Sequence, residues 1–311
     1  MRQAENNVHI EGILSQIELE NGSYIKDGRT IETVRGRIYV RVDQTINGKP
    51  ATSEIPIELF SPKLTKGGSP NPSYESIMKI KNDMKSIASA GSIEGADCVK
   101  INGARIQMNE YFDQAQRFVS FPRISASFVS KISREAMEPK ATFNVEMVIG
   151  SQGYVENAEG EQITDVDGNP QYEIIGLVPM YGDKIDKIRF VCANENVINS
   201  VKDYWEDGAT VKASGRLNFT SITETITTEQ GFGENIESHR TKSVRDIVIT
   251  GGLPTPLEGE MAYTPEEIQS ALAERQARLE QLKAKSASAT PKTRPAPAPI
   301  SGTRKALDLG F

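Results

Sequence analysis

Val99-Lys100-Ile101-Asn102-Gly103 and Val211-Lys212-Ala213-Ser214-Gly215 are two statements of one phrase, and their recurrence decides the reading of this chain. Each follows an amphipathic stretch and a polar break. Upstream of the first lie Ser76 to Met84 and then Gly95-Ala96-Asp97-Cys98. Upstream of the second lie Asn196 to Trp205 and then Gly208-Ala209-Thr210. Self-similarity on this scale is settled before any local motif is weighed, because it sets the number of units. Here it points to two copies of one small β-domain.

Outward from the first copy, period-2 alternation predicts strands at Val8 to Glu18, Val34 to Gln44 and Ala51 to Phe60. Asn47-Gly48 joins the last two as a tight hairpin. A Gly/Pro-rich loop (Lys66 to Pro72), a helix over Ser73 to Ser89 and a strand over Cys98 to Met108 follow. A further strand, Arg117 to Phe121, leads into the second unit, which opens at Ile124 to Ile132. That unit continues with strands in Ala141 to Ile149 and Tyr172 to Cys192, a helix over Glu195 to Trp205, and strands over Thr210 to Ile222 and Ser243 to Thr250. Three strands, a helix and two strands is the order of the five-stranded oligonucleotide-binding (OB) barrel. An immunoglobulin-like sandwich does not ordinarily carry that helix. The expected fold class is all-β: tandem five-stranded OB-fold barrels, each with one helix between strands three and four, plus a C-terminal helix and a disordered tail. The expected division is residues 1–118, 119–252, 253–285 for the helical segment and 286–311 for the tail.

Composition suits a soluble folded chain of two domains: 311 residues, 25% charged and 6% aromatic. No apolar run approaches a membrane span, and MRQAENNVHIEG lacks the apolar core of a signal peptide. Cys98 and Cys192 have no metal-like spacing and read as buried reduced thiols, which fits a cytoplasmic protein. The net charge of −6 divides unevenly, +3 from Thr264 onward and −9 before it. An acidic body argues against an indiscriminate DNA-coating field but leaves room for a local basic groove.

The sharpest cluster is Val34-Arg35-Gly36-Arg37-Ile38-Tyr39-Val40-Arg41-Val42. Alternation sends Val34, Ile38, Val40 and Val42 to the core and Arg35, Arg37, Tyr39 and Arg41 to the other face. Guanidinium groups beside a ring suit a single strand, whose phosphates pair with cations and whose bases stack. Phe60 on the next strand shares that face. So do Glu54 and Glu58, which could equally neutralise two of the arginines and leave an ordinary solvated surface. Lys100 and Lys212 occupy matching positions in the repeat, with Arg105 and Arg216 after the shared glycine. Tyr111, Phe112 and Phe219 are the further aromatic candidates, with core packing as the alternative. Gly103 and Gly215 read as bends that close a small barrel. The second unit lacks an arginine face, so the two copies are expected to be unequal.

Enzyme signals are poor. The two histidines, His9 and His239, adjoin no nucleophile motif, and no phosphate-binding loop is present. Asp165 to Pro170 begins like a calcium loop, but Pro170 replaces the required glycine, and a β-turn explains it better. No cofactor and no metal are implied. After Gly252, Thr264-Pro265-Glu266-Glu267 forms a capping box, and Ile268, Leu272, Leu279 and Leu282 make a stripe that docks on the body or on a twin. Ser286 to Thr303 is a Pro/Ala/Ser linker, and the chain ends in Asp308-Leu309-Gly310-Phe311.

On two features the chain resembles the single-stranded DNA-binding protein family, particularly phage-encoded versions. One is Asp207-Gly208-Ala209-Thr210-Val211-Lys212-Ala213-Ser214-Gly215-Arg216-Leu217, which is similar to that family's late barrel strand. The other is the flexible tail with a terminal phenylalanine. The resemblance implies non-catalytic binding and protection of single-stranded DNA in replication, recombination or repair. It also implies recruitment of protein partners through Asp308, Leu309, Gly310 and Phe311. Gly310 stands where the family has proline, only one acid remains at the tip, and the linker is basic. A scaffolding protein that uses its barrels for protein contacts is the alternative, and a metal-dependent nuclease is a third class.

Overall fold

The structure, a computed structural model, describes residues 1–26, 28–46, 48–164, 168–228 and 236–288, with the side chains of 221–243 and 288 outside the description. Its strands are β1 (Asn6–Lys26), β2 (Arg29–Ile46), β3 (Lys49–Pro62), β4 (Cys98–Phe112), β5 (Phe118–Ala126), β6 (Ser130–Ile132), β7 (Lys140–Tyr154), β8 (Tyr172–Pro179), β9 (Ile185–Cys192), β10 (Thr210–Thr228) and β11 (Ile236–Gly252). The helices are α1 (Pro72–Asp83), α2 (Ile87–Ala90), α3 (Glu195–Tyr204) and α4 (Pro265–Ser288).

Strand pairing closes two barrels in the same way. In the first, β1 pairs β2, β2 pairs β3, β3 pairs β5 in parallel, β5 pairs β4, and β4 returns to β1. In the second, β7, β8, β9, β11 and β10 repeat that circuit, again with one parallel contact, β9 to β11. Closure removes the free edges that an open sheet would expose. β1 also pairs β7, which welds the barrels side by side. The fold is all-β with tandem OB barrels, as the strand order implied.

Ile124 belongs to the first barrel. Expected to open the second unit, it pairs instead with Ile57 of β3 and Ile106 of β4 and is fully buried. The parallel β3–β5 contact that closes the first barrel needs Ile57, Glu58 and Leu59 beside Ile124, Ser125 and Ala126, so β5 cannot stop at Phe121.

The repeated phrase forms the start of β4 and of β10. Both glycines are architectural, for different reasons. Gly103 takes a φ of +72°, open to glycine at little cost, where the β1–β4 register slips. Gly215 sits where a Cβ would fall 1.9 Å from the Val248 carbonyl oxygen and into the Phe143 ring.

Each barrel is plugged by its helix. Asn71 caps α1 by accepting from the Ser73 N–H (3.1 Å), Pro72 fills the first turn, and Ile77 and Ile80 are fully buried. Asn194 caps α3, which buries Ile198 and Val201. Each such isoleucine or valine contributes about 1.5–3 kcal/mol. The first helix is shorter than expected. Ser86 and Ser89 bond reciprocally as a capping box and start the separate turn α2, which ends at Gly91 in the left-handed region.

α4 begins on the predicted capping box: Glu267 N–H donates to Thr264 Oγ1 (3.2 Å), and Thr264 N–H to Glu267 Oε2 (3.0 Å). It docks on β4 and β9, one strand from each barrel, burying Ile268, Ala271 and Leu279. Arg275 and Arg278 both reach the buried Glu110 carboxylate of β4. Cys98 and Cys192 are buried free thiols; burial pushes the Cys192 thiol up to about 12. Among the described residues no helix is long and apolar enough to cross a membrane.

Candidate nucleic-acid interface

The outer face of the first barrel carries a groove of about 1270 Å³, to which all five barrel strands contribute. The residues that give it chemistry are Arg35 and Arg37 of β2, Phe60 of β3, Arg105 of β4 and Arg123 of β5, with Glu18, Glu20 and Glu58 among them. Four of these were expected from the sequence: Arg35, Arg37 and Phe60 from strand alternation, and Arg105 from its place in the repeat.

Alternation holds along β2. Val34, Ile38, Val40 and Val42 have no exposed surface, which forces Arg35, Arg37, Tyr39 and Arg41 outward. Each polar group then finds a carboxylate. Arg35 donates to Glu20 (2.8 Å), Arg37 to Glu58 (3.1 Å), and the Tyr39 hydroxyl to Glu18 (3.0 Å). Burial works against charge on Arg37, but the bond to Glu58, its negative charge and the neighbouring Tyr39 together outweigh it and raise its pKa. Burial and Glu18 together hold the Tyr39 phenol above its ordinary value, which keeps it a donor. Phe60 lies opposite Arg35 in the register and is 58% exposed, so its ring is open to solvent on the groove face. Arg105 is exposed and makes no ion pair among the described residues.

Arg123 is the residue that the sequence reading missed. Its Nη1 donates to the second Glu58 oxygen (3.0 Å), so one carboxylate is shared by arginines from β2 and β5. Period-2 alternation, with Ile124 inward and Arg123 and Ser125 outward, would have marked it had β5 been followed past Pro122.

The groove face continues onto the arm made by the ends of β4 and β5. Gln107 pairs Arg123, Asn109 pairs Phe121 and Tyr111 pairs Val119. Tyr111 and Phe121 therefore lie on the groove side, edge-to-face at 6.4 Å. At the opposite end β1 and β2 extend as a second arm whose tip carries Tyr24, 42% exposed, with Lys26 directly opposite Arg29. Residues 19–33 have no regular apolar alternation, and the signal that could have found this arm is the hairpin dipeptide Asp27-Gly28.

Six expected contacts lie elsewhere. Arg41 is on the same face but beyond the groove, donating to Asp43 (3.1 Å), which also accepts from Thr52. Lys100 is a structural counter-ion, 2.7 Å from the buried Glu11. Lys212 takes the matching register position but turns to Glu5 (3.0 Å). Phe219 is core, 4% exposed, because Val211, Ala213, Gly215, Leu217 and Phe219 alternate inward. Phe112 is one residue out of phase with Tyr111, on the opposite side of the arm, facing Phe118 at 5.5 Å. Arg216 is half-buried on the second barrel, where burial alone lowers its pKa. Asp308, Leu309, Gly310 and Phe311 lie outside the described residues, as do Asp165 to Asp167 of the calcium-like loop and the His239 side chain.

In the second barrel the corresponding face has inverted charge. Both barrels have a register slip in the same place, Leu14/Gln16 in β1 and Ile149/Ser151 in β7. Counting from it, Arg37 falls on Glu173 and Tyr39 on Ile175. The parallel contacts agree: Glu58 beside Ser125 matches Val191 beside Val248, which puts Arg123 on Asp246 and Phe60 on Ala193. Arg189 pairs with Glu173 and with Asp246 (3.2 Å). One barrel has two arginines on a carboxylate, and the other two carboxylates on an arginine.

A family model described as YorF matches residues 4–285. No curated protein matches the sequence. Among solved structures, the fold is similar to that of wild-type single-stranded DNA binding protein from Thermus aquaticus, with a TM-score of 0.51 and 7% identity over 85% of this chain and 99% of that one. A deletion mutant of the same Thermus aquaticus protein gives 0.50 and 8%, over 86% and 100%. At these identities the likeness is one of fold.

Proposed function

We propose that this chain, which belongs to the YorF family, binds single-stranded DNA along the outer face of its first barrel, without catalysis. The observation that carries this reading is the groove itself: four arginines and an open phenylalanine ring converge from four strands. OB barrels take oligonucleotides across strands two and three and the arms beside them. Cations along a backbone track with rings for the bases to stack on are what a single strand requires. The fold shared with proteins named for binding single-stranded DNA supports the same choice. The carboxylates do not forbid it. Part-exposed ion pairs contribute only about 0–1 kcal/mol, so phosphates can replace them.

The acidic body then confines binding to the groove. The tail sequence supports a second role. Phe311 and Leu309 at the end of a Pro/Ala/Ser tether suit docking to an apolar pocket on a replication or recombination protein. Two buried free thiols fit a cytoplasmic setting.

Titration of a fluorescent oligo-dT at two salt concentrations tests the reading. Saturable binding that weakens steeply with salt is expected, and no saturable binding at low salt would sink it. The alternative, a scaffolding protein, draws on the satisfied pairs Arg35–Glu20 and Arg37–Glu58. Replacing Arg35, Arg37 and Arg123 together separates the two. Loss of oligonucleotide binding with retained folding supports the first, and loss of protein assembly supports the second.

A further inference from the structure

The two barrels share a circuit of strands, a register slip and a parallel closing contact, so their outer faces can be compared position by position. The first barrel offers Arg37, Arg123, Phe60 and Tyr39; the second offers Glu173, Asp246, Ala193 and Ile175. Two residues beyond Arg37 toward the arm, Arg35 is matched by Gln171. Both cations of the first triad have become anions, and both rings have become aliphatic. Arg105 alone keeps its charge, as Arg216.

Resting on the single-strand reading above, we infer that the Glu173–Arg189–Asp246 triad excludes nucleic acid from the second barrel, so that each chain offers one single-strand site rather than two. A phosphate that approaches this face meets a triad of net negative charge, one arginine held between two carboxylates. Its natural partner, Arg189, already holds both carboxylates. Like charges at those two positions repel the backbone, and the positions of Phe60 and Tyr39 hold Ala193 and Ile175, which cannot stack a base. Arg216 does not rescue the face, because it is half-buried where its counterpart Arg105 is exposed. The second barrel instead holds the first in place. β7 extends the sheet from β1, and Gln44 and Ser53 of the first barrel bond to the backbone of Leu217 and Phe219.

The test is the number of short oligonucleotides bound per full-length chain, using dT of about eight nucleotides, within the span of one OB barrel. Three proteins are compared: the natural chain, a first-barrel inversion (Arg37→Glu, Glu58→Arg, Arg123→Glu) and a second-barrel inversion (Glu173→Arg, Arg189→Glu, Asp246→Arg). The natural chain is expected to bind one, the first-barrel inversion none, and the second-barrel inversion to gain a weaker second site. Should an inversion fail to fold, Arg123→Glu alone and Asp246→Arg alone carry the same comparison, read as loss of affinity and gain of stoichiometry. Two oligonucleotides on the natural chain, or binding that survives first-barrel inversion, overturns this inference while leaving single-strand binding intact. No binding by any of the proteins overturns the functional reading, and this inference with it.

Discussion

Arg37 and Glu173 occupy the same position in two barrels of the same design, one step of the same count beyond the same register slip, with opposite charge. In the first barrel Glu58 stands where a phosphate would, between Arg37 and Arg123 at 3.1 and 3.0 Å. It keeps both guanidinium groups aimed into the groove, and it competes with any incoming anion. Glu58→Gln removes the competing charge while preserving shape. Oligo-dT binding should tighten by roughly 1 kcal/mol, about fivefold, at low salt, read by fluorescence titration.

Phe60 has 58% of its surface exposed beside Arg35, so it contributes little to the core. Phe60→Ala should leave the thermal midpoint almost unchanged, since exposed substitutions stay within about 0.5 kcal/mol. Its effect on binding should be larger: a stacked base is worth about 1–3 kcal/mol. Affinity measured beside a melting curve separates the two effects.

Much of this was legible in the sequence because strand alternation is local. Val34 to Val42 announced both the core and the arginine face, and the repeated phrase located β4 and β10. Arg123 was missed because the strand was ended at Phe121; alternation through Ile124 marks its face, whereas the pairing of Ile57 with Ile124 that brings it to Glu58 is a long-range contact that no local pattern encodes. Phe219 was misplaced for the opposite reason: the alternation from Val211 already marked it as core. The paired lysines looked like a binding feature until Glu11 and Glu5 supplied their separate partners. Charge inversion between barrels appears only after the register is counted through the bulges, and a sequence does not print its bulges.

Glu11 shows how such lysines act. Burial alone would raise its carboxyl, but bonds from Lys100, the Glu138 N–H and Lys140 outweigh it and hold it at about 2, below the ordinary 4.5. A depressed folded-state pKa gives stability that is present above about pH 4.5 and is lost as the pH falls toward 2. The lysines are partly solvated, which keeps this to roughly 2 kcal/mol. Glu11→Gln should lower stability at pH 7 by about that amount and flatten the acid limb, measured by urea unfolding across pH 2–7.

Arg275 and Arg278 are the only ion-pair partners of Glu110 among the described residues, and Glu110 is 4% exposed. Removing both leaves a buried carboxylate without a counter-ion, at a cost of about 3–5 kcal/mol. Arg275→Ala with Arg278→Ala should detach α4 from β4. Hydrogen exchange should then show faster exchange in α4 and in the β4–β5 arm, with the second-barrel strands β8 and β11 little changed.

Photo-crosslinking of oligo-dT to the full chain, followed by peptide mapping, tests the central claim most directly. The account predicts crosslinks in the first barrel, at Phe60 of β3 and at Tyr111 and Phe121 of the β4–β5 arm. Crosslinks concentrated on β8, β9 and β11 of the second barrel would contradict it.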